Sequence, residues 1–201
     1  MAITTYAELR TAVGDWLHRS DLSSFTPDFI TLSETEIFRK LRTKDMETTF
    51  VGTVSAGVVA LPTSYIDLKF AYINRTPTQW LERKTNRWIY EKYPLRSSES
   101  LPKFIAREGS NFIFGPYPDS NYTLGGVYYK NLGPLSSSAH AVFTNNPDLY
   151  LWGSLLQATP FLGNDKRISL WQAKYDQALS SAQLTSDKEE YSGGSLAMVP
   201  G

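Results

Sequence analysis

Cysteine is absent from this 201-residue chain, which excludes disulfides, thiolate metal sites and a cysteine nucleophile. Histidine is scarce: only His18 and His140 occur. Neither stands at a ligand spacing that suggests zinc, nor in the company of a serine and an acid that suggests a triad. His18 falls near the end of a helix pattern, where a partly charged imidazole is favourable in itself. No sign of charge dominates, since twenty Lys and Arg offset twenty Asp and Glu. A dedicated nucleic-acid binder usually carries a basic surplus, so the balance counts against that role. It is compatible with self-association, because copies do not repel one another. Long apolar runs are lacking as well: no stretch approaches the roughly 20 residues of a membrane span. Met1-Ala2-Ile3-Thr4-Thr5 lacks the order of a signal peptide. The expectation is a soluble chain made in the cytoplasm.

Catalytic motifs are also missing. Gly125-Gly126 sits inside a strand pattern, so it reads as a bulge or a close backbone approach and not as a phosphate loop. Ser154 lacks the flanking glycines of a nucleophile elbow and belongs to a helix face. Glu34 and Glu36 lie two apart on a helix and point in different directions, and Asp187, Glu189 and Glu190 sit where a helix runs out. All read as solvated acids. The expectation is a protein that is not an enzyme and uses no metal or cofactor.

What is present is a layout. Hydrophobic residues make up 41% of the chain, enough for a real core. Thr5 and Glu8 form a capping box, and Tyr6, Leu9, Val13, Trp16 and Leu17 then share one helical face. Thr26-Pro27-Asp28 opens a second helix, with the threonine hydroxyl as its cap. From Met46 the period changes to that of strands, at 48–54, 58–61, 66–73, a hairpin over 103–114, and 122–130. A short helix is predicted over 85–93, and loop over 131–144. Asn146-Pro147-Asp148 opens a third helix, ended by Pro160 and Gly163. A fourth, capped by Asn164 or Asp165, carries Ile168, Trp171, Tyr175, Ala178, Leu179 and Ala182 to about Asp187. Each helix pair is too short to form a core alone. The predicted fold is therefore α+β: a discontinuous helical bundle over 1–45 and 145–190, an inserted antiparallel β-rich domain over 46–144, and a flexible C-terminal arm over 191–201.

Two surfaces invite a partner. Trp80, Arg83, Lys84, Arg87, Trp88, Tyr90, Lys92, Tyr93 and Arg96 interleave rings and cations. Such a cluster can stack bases and neutralise phosphates, or it can form a core or a protein interface rich in Trp, Tyr and Arg. The second reading is preferred. Beyond Ser192-Gly193-Gly194-Ser195, the apolar Leu196, Met198 and Val199, with Tyr191 before the linker, read either as a frayed end or as a docking arm.

Taken in order, Tyr6-Ala7-Glu8-Leu9, Asp15-Trp16-Leu17, Pro27-Asp28-Phe29-Ile30, Leu61-Pro62 with Tyr65 and Leu68, Tyr122-Thr123-Leu124 with Tyr128-Tyr129, Asn146 to Leu151, Gly153 to Leu156, and Trp171 with Tyr175 make a pattern along nearly the whole chain. It resembles the head-to-tail adaptor (connector) proteins of tailed bacteriophages, especially the short-tailed type. The resemblance implies a structural virion protein at the portal vertex. It implies a ring, typically a dodecamer, beneath the portal, which extends the DNA channel for genome retention and ejection. The implied partners are the portal protein, neighbouring copies, and the next tail component, a nozzle or tail fibre protein. DNA would pass without sequence-specific binding, and the C-terminal arm, through Tyr191, Leu196, Met198 and Val199, would reach the portal. The alternative reading is a tail-associated receptor- or glycan-binding module using Trp80 or Trp88.

Overall fold

The computed structural model describes residues 2–95, 99–163 and 165–192. The chain divides into two compact units, one of Met1–Met46 with Leu132–Gly201 and the other of Glu47–Asn131.

The first unit is helical. Helix α1 (Tyr6–Leu17) starts with the capping box: Thr5 Oγ1 accepts the Glu8 N–H at 3.2 Å and Glu8 Oε2 accepts the Thr5 N–H at 3.0 Å. His18 ends it in the left-handed conformation, φ 53°. Helix α2 (Thr26–Lys40) corrects the expected cap. Phe25 holds the cap position, and Thr26, already helical, donates its hydroxyl to the Leu22 carbonyl at 3.4 Å. The expected loop over 131–144 contains a short helix, α3 (Ala141–Asn145), capped by His140. Helix α4 (Pro147–Gln157) follows, and Asn146 makes no side-chain cap there. Thr159–Leu162 form one more helical turn where the sequence predicted only an ending. The last helix, α5 (Ile168–Tyr191), runs four residues past the expected Asp187. Asn164 lies outside the described residues, while Asp165 Oδ1 takes the Arg167 N–H at 2.9 Å.

Packing centres on α4, which meets α1, α2 and α5. Its apolar Leu149, Tyr150 and Leu155 are fully buried among Leu9, Val13, Ile30, Ile37, Trp171 and Tyr175. The turn 159–162 and α4 also bring rings together: Phe161 sits 5.2 Å from Phe25, and Trp152 sits 5.1 Å from Trp16.

The second unit is a seven-stranded sheet. Its strands are β1 (Glu47–Thr53), β2 (Val58–Ala60), β3 (Tyr65–Ile73), β4 (Gln79–Arg83), β5 (Phe104–Glu108), β6 (Asn111–Gly115) and β7 (Thr123–Lys130). Their order is β1-β7-β3-β4-β5-β6-β2. The sheet was expected to be antiparallel, and one pair corrects this: β4 and β5 run parallel. A parallel pair needs a crossover, and here helix α6 (Asn86–Lys92) lies between the two strands in the chain. The inner face buries Phe50, Leu68, Ala71, Ile73, Leu81, Ile105, Phe112, Phe114, Leu124 and Tyr128. Gly125-Gly126 is regularly paired on both sides, so it is a close approach and not a bulge. A Cβ on Gly126 would stand 2.5 Å from the Phe70 carbonyl oxygen and 2.7 Å from the Phe50 ring. The register shifts of this region lie in β3 instead, between Tyr65 and Asp67 and between Leu68 and Phe70.

Candidate interaction surface

The basic-aromatic cluster predicted from sequence is divided by the fold. Thr85 caps α6 by accepting the Trp88 N–H at 3.2 Å, and the helix lies over β5 and β6. Ile89 packs there with Ala106 and Ile113, fully buried. Trp88 rests edge-on against Phe104 at 4.7 Å, and Tyr93 lies 6.3 Å from the same ring. These two aromatics are half-buried against the sheet. Tyr90 is exposed and its hydroxyl donates to the Glu108 carboxylate at 3.0 Å.

The cations are answered locally. Arg83 pairs with Asp67 at 2.6 Å and donates to the Leu68 carbonyl at 3.2 Å. Its guanidinium is raised above its ordinary value, first by the hydrogen bond to Asp67. Arg87 pairs with Glu91 at 2.7 Å one turn along α6, and Lys84 pairs with Glu82. Each of these cations already has a carboxylate, so the trio offers phosphates little net charge. Arg96 lies outside the described residues.

Trp80 goes elsewhere. It is 60% exposed on β4 and belongs to a row running across four strands: Val51 opposite Gly125, Gly125 opposite Tyr72, and Tyr72 opposite Trp80. Directly opposed residues share a face of a sheet, and alternate rows turn outward. The neighbouring outward row is Thr49, Val127 and Phe70. Val51 is 78% exposed and Phe70 38%. Trp80 packs 5.6 Å from Phe70 and 5.5 Å from Tyr72, its plane inclined by 65° and 59°. The result is a ridge of rings. Two ion pairs lie on these strands, Glu47 with Lys69 at 2.7 Å and Asp67 with Arg83 at 2.6 Å. Sequence reasoning singled out Trp80 but missed Val51, Phe70 and Tyr72. β4 itself was not predicted, and without its register the row is invisible.

In the helical unit an open recess of about 820 Å³ lies beside α1, lined by Ala7, Arg10, Thr11, Gly14, His18 and Thr26 among others. Asp15 and Arg19 line it as well, so the recess is largely polar, and nothing lies within 4 Å of where a Gly14 Cβ would stand.

Glu34 corrects its reading as a solvated acid. It is 4% exposed and its Oε1 accepts the Leu135 N–H at 2.7 Å. His140 Nε2 stands 3.9 Å from the same oxygen, while Nδ1 accepts the Phe143 N–H at 3.4 Å. The fold thus gives His140 an acid partner that spacing did not reveal. Both side chains are under 10% exposed, and His140 Nε2 makes no hydrogen bond, so this is a buried approach inside the helical unit. Beside it, burial first and Glu34 second push the Tyr150 hydroxyl well above the ordinary phenol range. Among the described residues, no group of three or more His, Cys, Asp or Glu is placed to hold a metal, and no helix is long and apolar enough to cross a membrane. Tyr191 closes α5 at 76% exposed, whereas Leu196, Met198 and Val199 lie outside the described residues.

A family model described as SU10 adaptor protein matches residues 4–198. No curated protein matches the chain. With nearly all of its length matched, the chain belongs to the SU10 adaptor protein family, a family of phage head-to-tail adaptors.

Proposed function

We propose that this protein is the head-to-tail adaptor of a short-tailed phage, a structural component without catalytic activity. Copies of it, twelve in the typical case, close a ring beneath the portal and extend the channel through which the genome is retained and then ejected. The observation that carries this reading is the family match over residues 4–198. In this reading the helices of residues 1–45 and 145–190 form one bundle that builds the ring and meets the portal. The β-rich segment is the part that meets the next tail component, a nozzle or fibre protein, and the C-terminal segment after Ser192 reaches along the portal.

The chemistry of the surface supports it. DNA must slide through such a channel, and each phosphate neutralised by a free cation adds affinity that resists sliding. A chain with balanced charge, and with Arg83, Lys84 and Arg87 each paired to an acid, suits passage. The glycan-binding alternative fares worse. Stacking on a sugar favours a flat aromatic platform, and the exposed rings here are inclined by 59° and 65°.

The test is to mix the full chain with the portal of its phage and examine the particles by electron microscopy. Portals crowned by an added ring are expected. Portals that never retain the chain would end the adaptor reading.

A further inference from the structure

We propose that the polar groove between the start of α4 and the end of α5 is a docking site for an arginine-bearing segment of the portal, with the guanidinium seated among Asp45, Asp148 and Glu189. The site stands on its own geometry. Only the source of the segment rests on the adaptor reading, which gives the helical unit the portal as its neighbour.

The acidic end of the groove is a recess of about 440 Å³ whose lining belongs to the helical unit alone. Three carboxylates, Asp45, Asp148 and Glu189, and one ammonium, Lys44, stand around it. Asp45 accepts the Asn145 side-chain amide at 2.9 Å. Among the described residues the Asp148 and Glu189 carboxylates make no ion pair or hydrogen bond. Acids at a surface are ordinarily answered by water, so by themselves they point to no ligand. Thr43 adds what they lack. It is 4% exposed, and its Oγ1 is buried without a hydrogen-bond partner in the wall of the same recess. A buried hydroxyl left unpaired costs free energy, and a donor entering the recess relieves it.

The spread of the acids selects the kind of cation. They come from three elements, the helical turn at 44–46, α4 and α5. No three described acids or histidines are placed to hold one metal ion. A guanidinium is flat and carries five donors in a rigid fork, so it spans separated acceptors where a point charge serves one. The rest of the segment also has a path. Asp148 and Ser181 line a second recess, of about 280 Å³, together with Trp152, Ala178, Gln177 and Lys174. The shared residues join the two recesses into one groove along α5. From Ala178 to Glu189 it runs about 16 Å at 1.5 Å per residue, the length of about five extended residues. Lys174 donates to Gln177 at 3.5 Å at the end away from Glu189, where half-buried Trp152 offers apolar surface. A lone small cation would leave that arm unused, whereas a peptide fills it.

The test titrates the full, isotope-labelled chain by NMR with the peptide acetyl-Gly-Arg-Gly-amide and with its lysine counterpart. At low salt the arginine peptide should give saturable shifts at the amides of Thr43, Asp45, Ser181 and Glu189, and bind roughly threefold tighter than the lysine peptide. Glu189→Lys should weaken the arginine peptide roughly fivefold, the upper range for one exposed ion pair. It should not lower Tm, since a base in the last turn of a helix is favourable. Thr43→Val should weaken the peptide as well, with Tm unchanged or higher, because the hydroxyl it removes has no partner in the free chain. Shifts that are absent, equal for both peptides, or reproduced by magnesium chloride at the same concentration overturn the inference and leave the adaptor reading standing. On the portal, the Glu189→Lys chain should be retained less well than the wild type, and equal retention overturns the portal as the source of the segment. A wild-type chain that is never retained ends the adaptor reading, and the peptide titration then decides the groove by itself.

Discussion

A carboxylate with 4% of its surface exposed must find partners, and Glu34 takes the Leu135 N–H at 2.7 Å. Removing it leaves a buried donor unpaired. Glu34→Ala is therefore expected to cost about 1–3 kcal/mol, and Glu34→Gln, which keeps an acceptor oxygen, clearly less. The check is a lower urea midpoint with an unchanged slope. None of this was legible in the sequence, because the partner lies 101 positions away and a lone glutamate on a helix is ordinarily solvated. A second site makes a sharper prediction. A Cβ at Gly153 would stand 2.2 Å from Ser33 Oγ and 3.1 Å from the Tyr175 ring, where α2, α4 and α5 meet. Gly153→Ala should lose about 1–3 kcal/mol through overpacking. Ser33 Oγ is buried without a hydrogen-bond partner, so Ser33→Ala alone should be neutral or mildly stabilising. The double variant should recover most of the Gly153→Ala loss, a coupling that a double-mutant cycle measures.

Elements held by local chemistry were readable, and those held by distant partners were not. The Thr5–Glu8 box joins residues three apart, so the sequence alone displays both partners; the short helix over 85–93 was expected too, but its Thr85 cap emerges only in the structure. Thr26 was misread because Pro27 places a proline at the second helical position here, and Phe25 takes the cap position without any side-chain bond. β4 offered only Leu81 as a buried residue and is defined by pairing with β3 and β5, so periodicity passed over it. The hairpin of β5 and β6 was visible through Gly109, whose φ of 58° the turn requires. The box also carries a pH signature. Hydrogen bonds from the Thr4 backbone, the Thr4 hydroxyl and the Thr5 backbone hold the Glu8 carboxyl below its ordinary value. A carboxyl depressed in the folded state contributes stability above the ordinary carboxylate range and loses it as pH falls through the folded value. In Glu8→Gln this acid-side loss should flatten, seen as a smaller drop in Tm between neutral and acidic buffer. Thr5→Ala should cost about 1 kcal/mol at neutral pH by the same thermal measurement.

At the scale of the whole molecule, the functional account rests on the family match. Equal charges and the helix–strand–helix layout are what the sequence offers at this scale. The order of motifs along nearly the whole chain carried the resemblance, and the family match over residues 4–198 stands on the same breadth. The interaction surface was only half legible. Trp80 and Trp88 lie eight positions apart, yet one faces solvent on β4 and the other, on α6, packs against Phe104 of β5. Trp80 is turned outward by the alternation of β4, which is known only once that strand is known, while Trp88 is turned onto the sheet by its helix.

The most direct test of the adaptor account is native mass measurement of purified portal incubated with an excess of the full chain. A single discrete mass increment, equal to one complete ring of copies and typically twelve, is the predicted result. A portal whose mass stays unchanged, or rises through a continuous spread of partial occupancies with no favoured count, would contradict it.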